Sequence, residues 1–294
     1  MSCIRTGGKN WHRRSDKKGS HGKNVLTAKI AVVCVALTLG IVILVVCAYV
    51  ILPSVISDAN RQVEEHNLAE NLYDMTIEQD ISAPNPTEAA VFEQPTPEPT
   101  SALRFPRDGF SAALQQNPDI VGRITVDACD IAYLVTQTID NKTYLSVGYD
   151  RKESRSGAIF LDYRCDIDAV PLRGHYILYG HNMKNGTMFH NLMEYKDEDF
   201  FNANRIIRFD TLYEDYEWEI FSAYVTNTDF YYIQTAFSGD EEWLNFLNTI
   251  QQKSNFKTDV QLSADDVVLT LSTCSYEFDN ARFVIHARLI KDPD

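Results

Sequence analysis

Two short segments of this chain carry groups able to do acyl chemistry. Tyr179-Gly180-His181-Asn182 offers an imidazole. Thr270-Leu271-Ser272-Thr273-Cys274 offers a thiol, and Arg282 follows eight residues after that cysteine. A thiolate attacks carbonyl carbon, an imidazole moves protons near neutral pH, and a guanidinium stabilises the oxyanion that attack creates. These are the minimum parts for acyl transfer through a thioester. A free thiol ionises only near pH ~8.5, so a neighbouring cation matters. Losing one oxyanion donor typically costs roughly 100- to 1000-fold in rate.

The elements that must position these groups are legible around them. Side chains alternate along a strand. Val267, Leu269 and Leu271 therefore share one face of a strand, with Thr270, Ser272 and Cys274 on the other. In the next strand Phe283, Ile285, Ala287 and Leu289 oppose Arg282, Val284, His286 and Arg288. An antiparallel hairpin centred on Phe278 sets Cys274 across from Arg282 on the polar face. Upstream, short β-type runs are expected at 120–126, 132–137, 144–147, 158–161, 176–179, 205–209 and 217–226. Turn-rich segments separate them, which points to a sandwich or barrel rather than a parallel sheet. A short helix is expected at 109–116, ended by Asn117-Pro118. Two longer ones are expected at 187–195, and at 241–252, where Trp243, Phe246, Leu247 and Ile250 have the spacing of a buried face.

The N-terminal region sets the compartment. Residues 1–29 hold eight basic side chains against Asp16 alone, and Ile30 to Leu52 is a 23-residue run without a charge. About 20 apolar residues cross a bilayer. The basic flank orients the N-terminus to the cytoplasm and everything after Pro53 to the outside. A cleavable signal peptide fits less well, since the run is too long and no Ala-x-Ala follows it. Residues 53–106 read as an extracellular stalk and a Pro-rich linker, the latter with Pro84, Pro86, Pro95, Pro97, Pro99 and Pro106. One catalytic domain is expected over 107–294. The chain's net charge is −14, with +7 on the first 29 residues, so 53–294 carries −21. Nucleic acid is excluded as a partner, because phosphate binding needs a basic surface.

Other readings of the same residues stand beside this one. A cysteine at a strand end is often a small buried hydrophobe, and an arginine on a terminal strand is often a surface residue. Of six cysteines, Cys3 is cytoplasmic and Cys34 and Cys47 lie in the span, which leaves Cys129, Cys165 and Cys274 outside. An odd extracellular count flags one reactive thiol, and Cys274 is its natural candidate. His66, His175, His181, His190 and His286 all lie beyond the span. His66 sits in the stalk, and His286 rivals His181 because it shares the face of Arg282.

Thr270-Leu271-Ser272-Thr273-Cys274 followed by Arg282 resembles the Thr-Leu-x-Thr-Cys signature of sortases, the membrane-anchored cysteine transpeptidases of Gram-positive surfaces. The segment Tyr179 to Phe189 is similar to their histidine segment in its class B form. Asn117-Pro118-Asp119-Ile120-Val121-Gly122, Asp140-Asn141, Gly157 to Asp162 and Arg282 to His286 agree, as does the 241–252 helix. The resemblance spans 108–290. It implies a mainly β, sortase-type closed β-barrel with a few peripheral helices, preceded by one N-terminal transmembrane helix. It implies Cys274 as nucleophile, His181 as general acid/base and Arg282 as oxyanion and substrate ligand. Tyr232 and Ile233 would form a substrate-groove wall, with Ser272 and Thr273 flanking the nucleophile. The implied partners are proteins with a C-terminal sorting signal and an acceptor amine on a peptidoglycan precursor or pilin.

No cofactor or metal is implied, and no acidic cluster has calcium-ligand spacing. The chain departs from the class B pattern at Arg123, where tryptophan is common, and at Cys129 and Cys165, which offers those two thiols for a disulfide. The rivals are a different cysteine-dependent wall transpeptidase, whose Ser-x-Gly-Cys segment is missing here, and an anchored binding or adhesion module with an inert thiol.

Overall fold

The computed structural model describes residues 19–82, 104–169 and 172–291. Residues 83–103 of the Pro-rich linker lie outside them. The first unit, through Ser57, is helical where described. Helix α1 (Gly19–Val46) passes through a π-helical turn, Cys47–Ile51, into α2 (Leu52–Ser82). Leu37, Ile41, Leu44 and their apolar neighbours are exposed. It is the one helix among the described residues long and apolar enough to cross a membrane.

The second unit, from Asp58, is built on a closed eight-stranded barrel. Its strands are β1 (Ile120–Val126), β2 (Ile131–Thr136), β3 (Ile159–Leu161), β4 (His175–Tyr179), β5 (Ile206–Thr211), β6 (Glu217–Thr226), β7 (Val268–Cys274) and β8 (Arg282–Leu289). The order around the barrel is β1-β2-β3-β4-β7-β8-β6-β5, closed by pairing of β1 with β5. The pairs β2–β3 and β4–β7 are parallel and the rest antiparallel. Closure leaves no edge strand to protect. Ile124, Val135, Leu178, Leu269, Leu271, Phe283 and Ile285 fill the interior. Gly122 is required where β1 meets β5, because a Cβ there would sit 2.2 Å from the Asp210 carbonyl oxygen.

Outside the barrel, α3 (Ser111–Gln116) follows a 3-10 turn, and α4 (Glu198–Ala203) starts at Asp197, whose side chain accepts from the Phe200 N–H. That contact satisfies one of the N–H groups a helix start leaves unpaired. Helix α5 (Asp240–Gln252) buries Trp243, Phe246, Leu247 and Ile250 against Phe221, Val260 and Val268. Its first-turn acids Asp240, Glu241 and Glu242 complement the helix dipole.

Two expected elements differ. The run 144–147 is not a strand: Thr143–Leu145 forms a 3-10 turn. Asp140 Oδ1 accepts from the N–H groups of Lys142 and Thr143 at 2.7 and 2.8 Å, which bends the chain before a strand can start. The stretch 187–195 is not an α-helix. Gly186 and Met188 take positive φ of 87° and 58°, and a 3-10 helix runs from His190 to Lys196. Met188, Leu192 and Tyr195 are nevertheless buried, as their spacing predicts.

The proposed Cys129–Cys165 disulfide is also absent, since both are free, buried thiols. The Cys165 Sγ–H donates to the His175 carbonyl. Burial pushes both thiols up to about 12, which makes them poor nucleophiles.

The barrel unit takes in part of the region read as stalk. Gln62, Glu65 and Ala69 of α2 are buried. Gln62 Nε2 bonds Ser156 Oγ at 2.5 Å, and Arg61 pairs with Asp150 at 3.1 Å. Arg123, facing outward from β1, donates to the Ala69 carbonyl at 3.2 Å and to Asp210 at 2.5 Å.

Candidate active site

The β7–β8 register pairs Cys274 with Arg282, the juxtaposition expected from the sequence. The histidine arrives from the other side. Strands β4 and β7 run parallel with Tyr179 beside Ser272, so His181 and Cys274, each two residues further on, leave the same rim of the barrel. Neighbouring strands lie only ~4.8 Å apart. The ladder continues past the strand ends: the Gly180 N–H donates to Ser272 O at 3.2 Å, and Asn182 Nδ2 donates to Cys274 O at 2.9 Å. Because Asn182 donates through its nitrogen, its Oδ1 accepts from His190 Nδ1–H at 2.6 Å. Gly180 permits this convergence, since a Cβ would sit 2.7 Å from the ring of buried Phe189.

His181, Cys274 and Arg282 line one cleft of about 350 Å³. Of the five histidines beyond the span, His181 alone is among the lining residues. Its Nε2–H donates to the Leu145 carbonyl at 2.9 Å, which leaves Nδ1 as the nitrogen free to exchange a proton. Cys274 and Arg282 are partly exposed.

His286 is fully buried on the outer face of β8, beneath Phe221 and Tyr224. It belongs to a chain whose direction is set by one carbonyl. His175 Nδ1–H must donate to Gln234 O, 2.7 Å away, so His175 Nε2 accepts from Thr270 Oγ1–H at 2.6 Å. Thr270 then accepts from His286 Nδ1–H at 2.7 Å, and His286 Nε2 accepts from Tyr224 O–H at 2.9 Å. Burial pushes both imidazoles down, His175 to about 4, so both stay neutral. His66 lies on α2 near Glu70 and Asp130.

The other sequence-selected residues are also at the cleft. Tyr232, Ile233, Ser272 and Thr273 all line it. Tyr232 is buried against Tyr224 and Val284, and its hydroxyl lies 2.9 Å from Ser272 Oγ. Burial raises the Tyr232 phenol above its ordinary range, so it is a neutral hydroxyl. Thr273 has the strand parity of Leu269 and Leu271, and its Oγ1 is buried without a partner. Among the lining residues that the sequence reading did not select are Asn141, Leu145, Tyr179, Thr228, Phe230 and Tyr231. Apart from Tyr179 at the end of β4, they come from turns and loops brought together only by the closed barrel, so no single periodicity marks the set. Among the described residues, no group of three His, Cys, Asp or Glu side chains is placed to hold a metal.

A closed mixed barrel that carries a thiol, an imidazole and a guanidinium around one apolar cleft holds the groups that acyl transfer through a thioester needs. The sortase domain profile matches residues 124–290, and the chain belongs to the sortase family. Its relatives are of class B. Sortase B of Listeria monocytogenes is 36% identical over 225 residues, which cover 76% of this chain and 87% of that protein. The crystal structure of Bacillus anthracis sortase B in complex with AAEK1 matches at 45% identity with a TM-score of 0.59, covering 63% of this chain and 86% of that one. A Staphylococcus aureus sortase B–substrate complex matches at 29% identity and a TM-score of 0.66, covering 81% of this chain and all of that one. Membership in this class makes the protein a cell-wall transpeptidase.

Proposed function

We propose that this chain cleaves a C-terminal sorting signal after threonine and transfers the freed acyl group to an amine. The observation that carries the reading is the strand register that sets Cys274 opposite Arg282, with His181 two residues past the end of β4 and lining the same apolar cleft. The Cys274 thiolate attacks the threonine carbonyl, and Arg282 stabilises the oxyanion. The peptide C–N bond then breaks, and His181 gives its proton to the leaving amine. The incoming amine attacks the thioester and returns a proton to His181, and the thiolate leaves. Tyr232, Ile233, Ser272 and Thr273 form the wall that holds the sorting peptide. The acceptor is a peptidoglycan precursor branch or a pilin lysine. The basic N-terminal flank favours a cytoplasmic N-terminus, a single crossing by the apolar helix and a catalytic unit outside the membrane.

The test is a panel of sorting-signal peptides incubated with the full chain in detergent and with hydroxylamine, a nucleophile that intercepts thioesters. A threonine hydroxamate, formed by wild type and not by Cys274→Ala, is expected. Cleavage that persists in Cys274→Ala, or peptides that all stay intact with wild type, would sink the reading.

A further inference from the structure

Behind the cleft lies an ion pair that is not among its lining residues. Asp162 follows β3, its side chain is 0% exposed, and it receives Arg164 at 2.6 Å. The guanidinium also donates from Nε to the second carboxylate oxygen at 2.8 Å, a bidentate fork. The pair touches both sides of the cleft. On one side Asp162 Oδ2 accepts from Tyr179 O–H and Asn141 Nδ2, each at 2.9 Å. On the other, Arg164 donates to the Tyr231 hydroxyl at 2.7 Å and to the Ile233 carbonyl at 3.0 Å. Asn141, Tyr179, Tyr231 and Ile233 all line the cleft.

We infer that Asp162 and Arg164 are positioning residues that bridge the two walls of the substrate cleft and hold Tyr231–Ile233 at the spacing the peptide needs. The inference rests on the function proposed above, in which that cleft takes the sorting peptide.

The chemistry of the pair suits a bridge better than a role in the reaction. Neither group lines the cleft, and the carboxylate accepts hydrogen bonds from donors that favour its charged form. Burial pushes the Asp162 carboxyl up, but the bonds from Arg164 and Tyr179 outweigh it and hold it below its ordinary range. A planar guanidinium can reach a carboxylate, a phenol and a carbonyl at once, and a compact ammonium cannot. Apart from the packing of Tyr232 against Tyr224 and Val284, the wall's other hydrogen bonds to the barrel, among the described residues, are the one the neighbouring Gln234 carbonyl accepts from His175 and the one between the Tyr232 and Ser272 hydroxyls. Without Arg164 two consecutive wall residues, Tyr231 and Tyr232, keep one of their two hydroxyl anchors, and Ile233 loses its carbonyl donor. A widened or mobile wall weakens peptide binding and leaves the thiol, imidazole and guanidinium on their strand ends undisturbed.

The experiment compares wild type, Arg164→Lys and Arg164→Met as full chains in detergent, with two readouts. Backbone hydrogen exchange over 229–236 is expected to quicken in both variants while β7 and β8 stay protected. With the peptide that wild type turns over best, KM is expected to rise roughly tenfold, the scale of losing charge-assisted hydrogen bonds. The kcat and the rate of Cys274 alkylation by iodoacetamide should stay within about twofold. A purely structural role predicts something else: faster exchange throughout the barrel, with kcat and alkylation falling together. That result, or unchanged exchange at 229–236, or an unchanged KM, overturns the inference. If wild type turns over no peptide, the proposed function fails by itself, and local exchange alone then decides whether the pair holds the wall.

Discussion

In the mechanism proposed above, the nucleophile Cys274, its oxyanion ligand Arg282 and its proton carrier His181 come from three different strand ends, so each can be removed with the barrel left standing. Cys274→Ala should abolish both cleavage and transfer, measured with peptide and amine by mass spectrometry. His181→Ala should cost roughly 100- to 10,000-fold in kcat, the usual contribution of a positioned acid/base. Arg282→Lys should lose roughly 100-fold, more than conservation of charge suggests, because an ammonium cannot reproduce the guanidinium fork. The decisive control is His286→Gln. It breaks the Tyr224–His286–Thr270 chain, so it should lower the melting temperature while the folded enzyme keeps its kcat. A dead His286→Gln beside an active His181→Ala would reverse the assignment. A second residue-scale expectation concerns acid. His175 ionises near 6.5 when unfolded but only near 4 when folded, so protons favour the unfolded chain between those values. Stability from this site is complete above pH 6.5 and declines as pH falls toward 4, by up to about 3 kcal/mol. Urea midpoints at pH 7.0 and 4.5 should show this drop, and a pH-independent difference between wild type and His175→Gln would contradict it.

At the scale of elements, the parallel β4–β7 pair carries the geometry, and Gly180 is where it is most vulnerable. Gly180→Ala puts a methyl group 2.4 Å from Ile159 Cδ1 and 2.7 Å from the Phe189 ring, both fully buried with no exposed side to swing toward. Overpacking of this kind costs about 1–3 kcal/mol, and here it pushes the His181 arm off the Cys274 strand. Turnover should fall by more than the loss of folded protein explains, as active-site titration of Cys274 would show. Wild-type kcat in the Gly180→Ala enzyme would mean the two arms are held by something other than this contact.

The hairpin side of the site was legible in the sequence because strand alternation fixes which face each residue of β7 and β8 takes, and centring the long 275–281 loop on Phe278 gives the pairing that the register has. The α5 face was legible for the same reason, with helical periodicity in place of strand periodicity. The 3-10 turn at Thr143–Leu145 was not, because Tyr144 and Val147 look like strand residues until the side chain of Asp140 is seen capping the turn. That misreading hid Leu145, whose carbonyl fixes the His181 tautomer. The cleft wall was equally hidden beyond Tyr232 and Ile233, since Arg164 meets it through contacts 67 and 69 residues apart in the chain, which no local pattern encodes.

Over the whole catalytic unit, the barrel extends its packing to α2, and the departure at Arg123 is part of how it does so. Arg123 stands across from Asp210 in the β1–β5 register and turns the other arm of its guanidinium to the Ala69 carbonyl. Burial raises the Asp210 carboxyl above its ordinary range although Arg123 opposes it. Removing one partner of a buried pair strands the other, so Asp210→Ala should cost about 3–5 kcal/mol. If residues 58–70 are part of the fold rather than a spacer, a fragment from Asp58 should melt several degrees above one from Phe105. Equal melting temperatures for the two would show that the helix contributes nothing. Glu65 sharpens the test, because its carboxyl is buried with Oε1 unpartnered, and burial, reinforced by Asp150, pushes it well above the ordinary carboxylate range. An acid with a raised folded pKa binds its proton more tightly in the folded chain, so its contribution is full below about pH 4.5 and is lost as pH rises above it. Glu65→Gln keeps the shape and cannot ionise. It should therefore stabilise the Asp58 fragment at pH 7 by about 1–3 kcal/mol and gain nothing at pH 4. In the Phe105 fragment, which lacks the helix, no such pH-dependent term remains. Urea melts of both fragments at the two pH values measure it, and a Glu65→Gln change that is the same at pH 4 and pH 7 would refute the docked, buried carboxyl.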